Sequence, residues 1–597
     1  MTAQYVVGID LGTTNSVVAY APLAADKPVV ELLPIPQLVA AGTVENRTSL
    51  PSFAWLPPAG QSGDKSFALP WKTKHASDCL IGEIARRQTA ESPDRTISSA
   101  KSWLGHSRVD RHQPILPWNA PEGVTKLSPV AVSQRYLEHL IAAWHQAFPN
   151  APIVEQQVVL TVPASFDASA RELTREAALA AGLPADLVLL EEPQAAVYAW
   201  LAAVGDRWRR VLKVDSTLLV CDVGGGTTDL TLVSVAEEQG ELVLRRMAVG
   251  DHLLVGGDNM DLALAYFAAQ QFEKKGVKLD PWQSVSLWHQ CRLAKETLLT
   301  ADAPKKHAVS VLGRGSKLIG GTVSVDLERQ AAAQLLVDGF FPQCTSTEKP
   351  ARRRQSGFQE IGLPYESDTA ITRHLAAFLS SQGPVGAPVQ PTHVLFNGGV
   401  FKADPLKSRL LEVLGSWSGA TPPEPLEGEH DLDNAVARGA AFYAWSKQKG
   451  GVRIHGGTAR SYYVGIESSG LAIPGAPRPL RALCVVPFGM EEGTEHAVPS
   501  GEIGLVVGEP AHFRFFSSNV RKTDRVGDLV SNWSDDEIAE TDSLEATLPA
   551  DDSLDQTYVP VRFHSKVTEL GVFELWCVST QGDRRWKLEF SVRDDPN

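Results

Sequence analysis

Cysteine is scarce in this 597-residue chain, positive charge is not in excess, and no apolar run is long. The six cysteines include no CxxC pair, so neither a zinc site nor a thioredoxin-like motif is indicated, and reduced thiols are expected. A formal net charge of −14 argues against a surface that wraps a nucleic-acid backbone. The longest apolar runs, such as 195–204, are too short to span a membrane. Because residues 1–10 also lack a basic region followed by an apolar stretch, we expect a cytoplasmic protein without nucleic-acid or membrane partners.

The chain also lacks any Gly-Lys pair, which excludes a Walker A loop. It has instead two copies of another glycine motif, Val7–Ser16 and Val220–Asp229. In each copy an apolar strand leads to aspartate, a glycine turn and a threonine pair, and a second apolar strand follows. Glycine lets the backbone turn tightly and brings its N–H groups close to phosphate oxygens. One such turn is an ordinary feature, but a matched pair predicts two hairpins that hold a polyphosphate from both sides.

Two further features extend this interpretation. The aspartate that ends the first strand of each hairpin, Asp10 or Asp222, can hold a hydrated magnesium ion, which prefers carboxylates and water. A third glycine element, Asn397–Gly399, follows an apolar strand and precedes a helix. Alone it predicts a plain strand-to-helix loop. Beside two phosphate hairpins it becomes the expected contact for adenosine.

Periodicity predicts alternating strands and helices up to about residue 450, and therefore α/β architecture. The expected strands lie at 5–9, 17–20, 157–162 and 187–190, with a second hairpin over 218–235. A helix after Pro163 should bury one face and end at Gly182; the expected face consists of Ala170, Leu173, Ala177 and Ala180. Three aspartates are predicted to cap later helices, namely Asp368, Asp404 and Asp433. From residue 460 onward, short alternating segments predict an all-β region.

These motifs together resemble the seventy-kilodalton heat-shock protein family, the DnaK-like chaperones. Asp10–Ser16 is similar to the family's first phosphate loop, Asp222–Asp229 to its second, and Asn397–Gly399 to its adenosine loop. Three more stretches also resemble family segments, namely Leu160–Phe166, Glu191–Ala196 and Gly256–Asp261. The resemblance covers about 4–300 and 392–447, in order. Sugar kinases and actins share the two hairpins, but the three additional stretches favour the chaperone family.

The resemblance implies a role for each matching residue. The implied catalytic residues are Asp10, Lys101, Glu192, Asp222 and Thr227; Lys101 would neutralise the γ-phosphate, Glu192 would orient water, and Asp10 and Asp222 would hold magnesium through water. The implied nucleotide-binding residues are Gly12, Thr13, Thr14, Asn15, Gly224, Gly225, Gly226, Thr228, Lys295, Gly398, Gly399 and Asp433. Pro163 and Arg171 would relay the nucleotide state to the other domain.

The chain also departs from the family pattern in three places. Glu296 and Lys402 stand where the family has two arginines that stack on adenine, so weaker ATP binding is expected because cation–π stacking is lost. Residues 450–457 form a glycine-containing segment where the family has a linker of leucines and acids, and residues 339–364 have no evident counterpart. The sequence stops at Asn597, so we also expect no helical lid over the β-region.

The predicted architecture is α/β, with an actin-like, two-lobed nucleotide-binding domain at 1–450 and a β-rich, sandwich-like domain at 455–597. Lobe I would span about 1–210, and lobe II about 211–398 with closing helices to 450. The predicted function is slow hydrolysis of ATP to ADP with Mg²⁺ by a chaperone or chaperone-like ATPase. Its partners would be unfolded or extended peptides or a dedicated protein. Two alternatives are a nucleotide-sensing scaffold with a fixed partner and a small-molecule kinase.

Overall fold

A computed structural model describes residues 3–590 except 59, 62–63, 72–77, 107, 239–240, 301, 313–321, 352–362, 364, 385–386, 420, 429–430, 450–453, 456, 459, 468–478, 492, 507–509, 536, 542–543, 548–557 and 569–572. Most of the predicted 450–457 linker therefore lies outside the described residues, as does much of the 339–364 segment. No described helix combines the length and apolar character that a membrane crossing requires.

The described helices all precede residue 450. They are α1 Glu83–Glu91, α2 Ala100–Leu104, α3 Pro129–Ala147, α4 Ala168–Ala181, α5 Glu192–Val204, α6 Trp208–Val211, α7 Gly257–Lys274, α8 Pro281–Leu298, α9 Arg329–Phe340, α10 Ile371–Gln382, α11 Asp404–Ser418 and α12 Ala435–Lys449.

Strands occur along the whole described chain. The first nineteen are β1 Tyr5–Leu11, β2 Asn15–Pro22, β3 Glu31–Leu32, β4 Ile35–Ala40, β5 Thr43–Arg47, β6 Leu50–Pro51, β7 Ala54–Trp55, β8 Leu80–Ile81, β9 Thr96–Ile97, β10 Gln157–Val162, β11 Val188–Glu191, β12 Thr217–Val223, β13 Thr228–Glu238, β14 Glu241–Val249, β15 Lys306–Leu312, β16 Thr322–Glu328, β17 His393–Asn397, β18 Glu424–Pro425 and β19 Ile454–His455. The others are β20 Ser461–Glu467, β21 Leu480–Val486, β22 Thr494–Ala497, β23 Ile503–Val506, β24 Pro510–Phe513, β25 Phe515–Ser518, β26 Leu529–Val530, β27 Ala539–Glu540, β28 Leu544–Thr547, β29 Tyr558–Val567, β30 Phe573–Ser579 and β31 Arg585–Phe590.

The two copies of the glycine motif lie in two sheets of similar topology. Lobe I is built on the order β11-β10-β1-β2-β3, and lobe II on β18-β17-β12-β13-β14-β19. In each sheet the first strand of a glycine hairpin pairs antiparallel with the second and parallel with a later strand, β10 or β17. The two lobes therefore place their hairpins at equivalent positions of equivalent sheets.

Strand alternation explains how the two lobes join. In β1, Val7 and Ile9 enter the core of lobe I, while Val6 faces the other way. In β12, Cys221 enters the core of lobe II, while Val220 faces the other way. The outward-facing apolar residues of both sheets meet α5 and α12 in one shared cluster, because successive side chains of a strand point to opposite faces. Helix α12 also packs along β1, β2 and β10 of lobe I.

After residue 460, every regular element of the described residues is a strand. This region forms a five-stranded and a seven-stranded antiparallel sheet, and both contribute to one hydrophobic cluster. Tyr462 and Val464 of β20 reach this cluster from the first sheet, and Val561 and Phe563 of β29 from the second. The preceding strand β19 belongs elsewhere, since Ile454 pairs parallel with β14 of lobe II.

Most sequence-based elements are confirmed, but four details are wrong. Ala180 is exposed, because at 3.6 residues per turn it lies just beyond Leu173, the edge of a buried face that extends on the other side of Ala170 to Ala178. Helix α10 begins at Ile371, and the carboxylate of Asp368 accepts from the backbone N–H of Ala351 and Ala370 instead of capping it. Asp404 is the first residue of α11 and not its cap. Asp433 precedes the start of α12 by two residues.

Candidate functional site

The two glycine hairpins touch each other across the cleft between the lobes. A Cβ atom added to Gly225 would lie 2.1 Å from the Thr14 Oγ1 atom, and one added to Gly226 would lie 2.9 Å from Thr13 Cγ2. Only glycine fits where the hairpins approach this closely. The Thr14 hydroxyl is buried and has no hydrogen-bond partner among the described residues. An orphaned donor between two glycine turns suits a phosphate oxygen.

Several carboxylate side chains lie close together next to these hairpins. Asp10 accepts a 3.2 Å hydrogen bond from the Thr161 hydroxyl, and Asp222 accepts one of 2.7 Å from the Asn397 amide. Burial and the charges of Glu192 and other nearby carboxylates raise the pKa of Asp222 to about 8. Burial also raises the pKa of Asp10 and, despite an opposing effect of Lys101, that of Glu192 to about 7. The site therefore holds more carboxyl groups than its own cation can offset in their ionised form, so part of them stay protonated.

The cation in this site is Lys101, on the short helix α2. Its side chain is buried and forms an ion pair with the Glu192 carboxylate at the start of α5. Burial alone would lower the pKa of Lys101, but the charges of Glu192 and Asp10 outweigh it, and the pKa is raised. Lys101 thus stays protonated at neutral pH.

The carboxylates suit a hydrated divalent cation. No three His, Cys, Asp or Glu side chains among the described residues lie close enough to hold a metal ion directly. Magnesium commonly keeps several waters and binds through one or two carboxylates. The raised pKa values of Asp10 and Asp222 show that these carboxyl groups tend to keep their protons without a metal, and a divalent cation would favour their ionised form.

The third glycine element lies at the same cleft. Gly398 has a φ of 84°, and a Cβ added there would lie 2.3 Å from the Val223 carbonyl oxygen and 2.7 Å from an Asp222 carboxylate oxygen. Gly399 faces Asp433, whose carboxylate forms an ion pair with Lys402. Both members of this pair are about half exposed, at 52% for Lys402 and 50% for Asp433. Sheet pairing of β17 with β12 is what brings this loop to the second hairpin.

Lys295 of α8 takes part in a separate charged cluster beside the second hairpin. Its ammonium lies 2.6 Å from an Asp261 carboxylate oxygen and donates to the Gly257 carbonyl at 2.9 Å. Arg292, one turn earlier, binds Asp261 at 2.9 Å and also pairs with Asp258. Gly257 follows Gly256, where a Cβ would come within 2.7 Å of the Gly224 carbonyl oxygen. Glu296 on the same helix is exposed.

Not every predicted site residue faces the cleft with its side chain. Thr228 is fully buried and its hydroxyl donates to the Val255 carbonyl at 2.8 Å. The Thr227 carbonyl accepts from the Gly224 N–H, which closes the turn of the second hairpin. In the first hairpin, the Gly12 carbonyl accepts a hydrogen bond from the Ser52 hydroxyl. Asn15 is exposed.

The predicted relay residues lie behind the hairpins. Pro163 follows β10, and Arg171 of α4 donates to the Phe166 carbonyl and contacts the Glu191 carboxylate at 2.6 Å. Sequence reasoning missed a buried group between them and the second hairpin. The hydroxyl of Ser165 lies 2.6 Å from the Asp229 carboxylate and 2.9 Å from the His252 ring. Asp229 directly follows the threonine pair of the second motif, where the first motif has Asn15, and that extra carboxylate was the available signal.

The β-region contacts the two lobes near this group. Arg460 donates to the Ser165 carbonyl at 3.4 Å, and Asn519 donates to the Asp251 carboxylate at 2.9 Å. Lys522 donates to the Met247 carbonyl of β14 at 2.9 Å. A cavity of about 620 Å³ between α10 of lobe II and the β-region is lined partly by these segments and by Leu230 of β13; its lining does not include the glycine turns of the hairpins.

Comparisons with known proteins point in one direction. A family model described as Hsp70 protein matches residues 73–347, which include Lys101, Glu192 and the second hairpin. The chaperone protein HscA homolog of Acinetobacter baumannii is 28% identical over 367 residues, 60% of this chain and 51% of that protein. The chaperone protein DnaK of Cenarchaeum symbiosum is 32% identical over 276 residues, 46% of this chain and 34% of that protein. The chain thus spans about half the length, or less, of these curated relatives.

Proposed function

Because this chain is a divergent, DnaK-like member of the Hsp70 family, we propose that it is a chaperone-type ATPase that cleaves ATP to ADP and phosphate. Its two lobes have the actin-like fold of that family. The observation that carries the proposal is the contact of two glycine hairpins from different lobes above a carboxylate cluster that contains a buried lysine.

Each residue of the cluster has a role in this proposal. The glycine turns and the threonines of both hairpins would hold the phosphates. Asp10 and Asp222 would hold Mg²⁺ through water, and the ion would offset the charge of the transferred phosphoryl group. Lys101, protonated at neutral pH, adds a fixed positive charge. Glu192, with a pKa of about 7, is suited to orient water and accept its proton.

The second part of the proposal concerns clients. We propose that residues 1–450 form the ATPase domain and 455–597 a β-sandwich that binds extended peptides or a dedicated protein. The named relatives are chaperones, and antiparallel sheets with exposed edges can accept an added strand from a peptide. The contacts of Arg460 and Lys522 with the nucleotide lobes favour communication between the two domains.

Titration of the purified protein with radiolabelled ATP, in magnesium and in EDTA, tests the first part. We expect binding and phosphate release in magnesium, at a slow rate, and neither in EDTA. Equal turnover in EDTA would contradict the metal-dependent mechanism. Added unfolded peptide should raise the turnover of a chaperone and leave that of a scaffold unchanged. ADP production that depends on an added sugar would instead favour a kinase.

A further inference from the structure

Glu191, the last residue of β11, is buried between two arginines. One carboxylate oxygen lies 2.6 Å from an Arg171 guanidinium nitrogen, and the other pairs with Arg246. The Arg246 side chain is only 2% exposed. Burial alone would raise the pKa of Glu191, but the charges and hydrogen bonds of Arg246 and Arg171 hold it below its ordinary value. Glu191 is therefore a permanent anion at neutral pH.

The two arginines come from different lobes. Arg171 is on α4 and shares lobe I with Glu191, whereas Arg246 is on β14 of the lobe II sheet. A small apolar contact between Ala164 and Val249 also joins the two lobes. The Glu191–Arg246 ion pair is thus a buried polar link across the lobe boundary, a kind of link whose geometry is strongly constrained because neither charge can find water.

The position of Glu191 in the chain gives this link a consequence for the cleft. The next residue, Glu192, begins α5 and pairs with Lys101. Glu191 itself has the extended backbone of a helix-capping residue, and its Cα is paired in register with Val162, just before Pro163. Any displacement of Glu191 moves the first turn of α5, which carries the Glu192 carboxylate.

We propose that Glu191 and Arg246 form a cross-lobe clamp that positions Glu192 against Lys101, so that both are positioning residues for hydrolysis; this inference rests on the proposed function. The clamp ties the geometry of the cleft to the relative position of the lobes. A misplacement of a catalytic group by about 1 Å can cost on the order of a hundredfold in rate. Loss of the clamp is therefore expected to lower the rate of hydrolysis more than it lowers the affinity for ATP.

The variant Arg246→Met tests the clamp with a matched control. Glu191 keeps Arg171 in this variant, so lobe I retains a paired carboxylate. The control is Arg245→Met, the neighbouring arginine on the same strand, which is exposed and pairs with Glu238 within lobe II. We expect Arg246→Met to lower the single-turnover hydrolysis rate by about tenfold or more, with the ATP dissociation constant changed less than about threefold. Arg246→Lys should recover part of the rate, and Arg245→Met should match the wild type.

Amide hydrogen exchange supplies a readout that does not require activity. In Arg246→Met we expect faster exchange across 191–196 and 245–249, and no change in Arg245→Met. If Arg246→Met hydrolyses ATP at the wild-type rate and its amides also exchange at wild-type rates, the proposal of a clamp is wrong. If the wild-type protein does not hydrolyse ATP, the proposed function fails while the exchange comparison still decides whether the clamp exists. Should Arg246→Met fail to fold, Glu191→Gln is measured against Arg245→Met with the same criteria.

Discussion

Gly439 of α12 lies directly against the backbone of α5 at Ala195. A Cβ atom at residue 439 would be 1.8 Å from the Ala195 carbonyl oxygen, a separation that no relaxation of a side chain can relieve. Gly8 of β1 makes a similar approach to α12, where a Cβ would lie 2.3 Å from the Ala437 carbonyl oxygen. The cluster that joins the two lobes is therefore packed backbone to backbone, and small residues are required where α12 crosses it.

Gly439→Ala is expected to be strongly destabilising, because α12 must move away from α5 and open the shared cluster. The apparent melting temperature should fall by about 5 °C or more, measured by differential scanning fluorimetry. Gly339→Ala is the matched control, since Gly339 is also helical and a Cβ there meets nothing within 4 Å. An alanine there should be neutral or mildly stabilising. Equal melting temperatures for the two variants would show that α12 is not held in this way.

Lys101→Met should impair hydrolysis while the protein stays folded. The change removes the partner of Glu192, and the buried carboxylate then has burial and nearby acids raising its pKa without Lys101 to oppose them. We expect turnover to fall by about 10²-fold or more, the magnitude typical for loss of one electrostatic group. Lys274→Met, at an exposed position of α7, is the control. Phosphate release under saturating ATP is the measurement, and near-normal turnover would remove Lys101 from the mechanism.

The raised pKa of Asp222 predicts a pH-dependent stability of the metal-free protein. The folded state holds this proton up to a pKa of about 8, whereas the ordinary value is 3.8. Stability therefore falls as pH rises between these values, because the unfolded chain releases the proton first. Asp222→Asn should raise the apparent melting temperature at pH 8 by about 2–8 °C and have little effect near pH 4.

The exposed Asp186 supplies the control for that experiment through Asp186→Asn. Addition of magnesium and ATP should reduce the difference between wild type and Asp222→Asn at pH 8, since a bound cation compensates the wild-type carboxylates. A difference that grows toward low pH has the wrong sign and would refute the assignment.

Lys402→Arg should strengthen ATP binding. Lys402 is paired with Asp433 beside Gly399, at the predicted adenosine side of the cleft. Arginine can keep the ion pair and also present a flat guanidinium to a base. We expect about 3- to 10-fold tighter binding by calorimetry, with the single-turnover rate unchanged. Lys274→Arg should have no effect. Weaker binding in Lys402→Arg would show that the lysine itself is needed there.

Sequence patterns predicted the local elements well and the long-range contacts poorly. The hairpins at Asp10 and Asp222 were recognisable because an apolar strand, a glycine turn and a second strand occur within a few residues. The cap predicted at Asp368 was wrong because its carboxylate binds the distant Ala351 N–H, a tertiary contact that local propensity cannot contain. The pair Glu191–Arg246 joins residues 55 apart in two sheets, so it depends on how the lobes pack. Arg246 does not stand out in the sequence, and Glu191 was recognised only as part of the stretch Glu191–Ala196.

Lys522→Met should loosen the contact of the β-region with lobe II. The ammonium donates to the Met247 carbonyl at 2.9 Å, contacts Gln382, and lies 5.1 Å from the centre of the Phe488 ring. Burial lowers the pKa of Lys522, so the contact depends on a partly desolvated charge. Methionine removes the donor and leaves these acceptors unpaired. We expect several-fold faster amide exchange in 247–252 and 519–522.

Lys566→Met is the control, because its strand neighbours Glu495 and Glu574 both lie within the β-region. Unchanged exchange in Lys522→Met would mean that other contacts, such as Asn519 with Asp251, hold the two parts together without it.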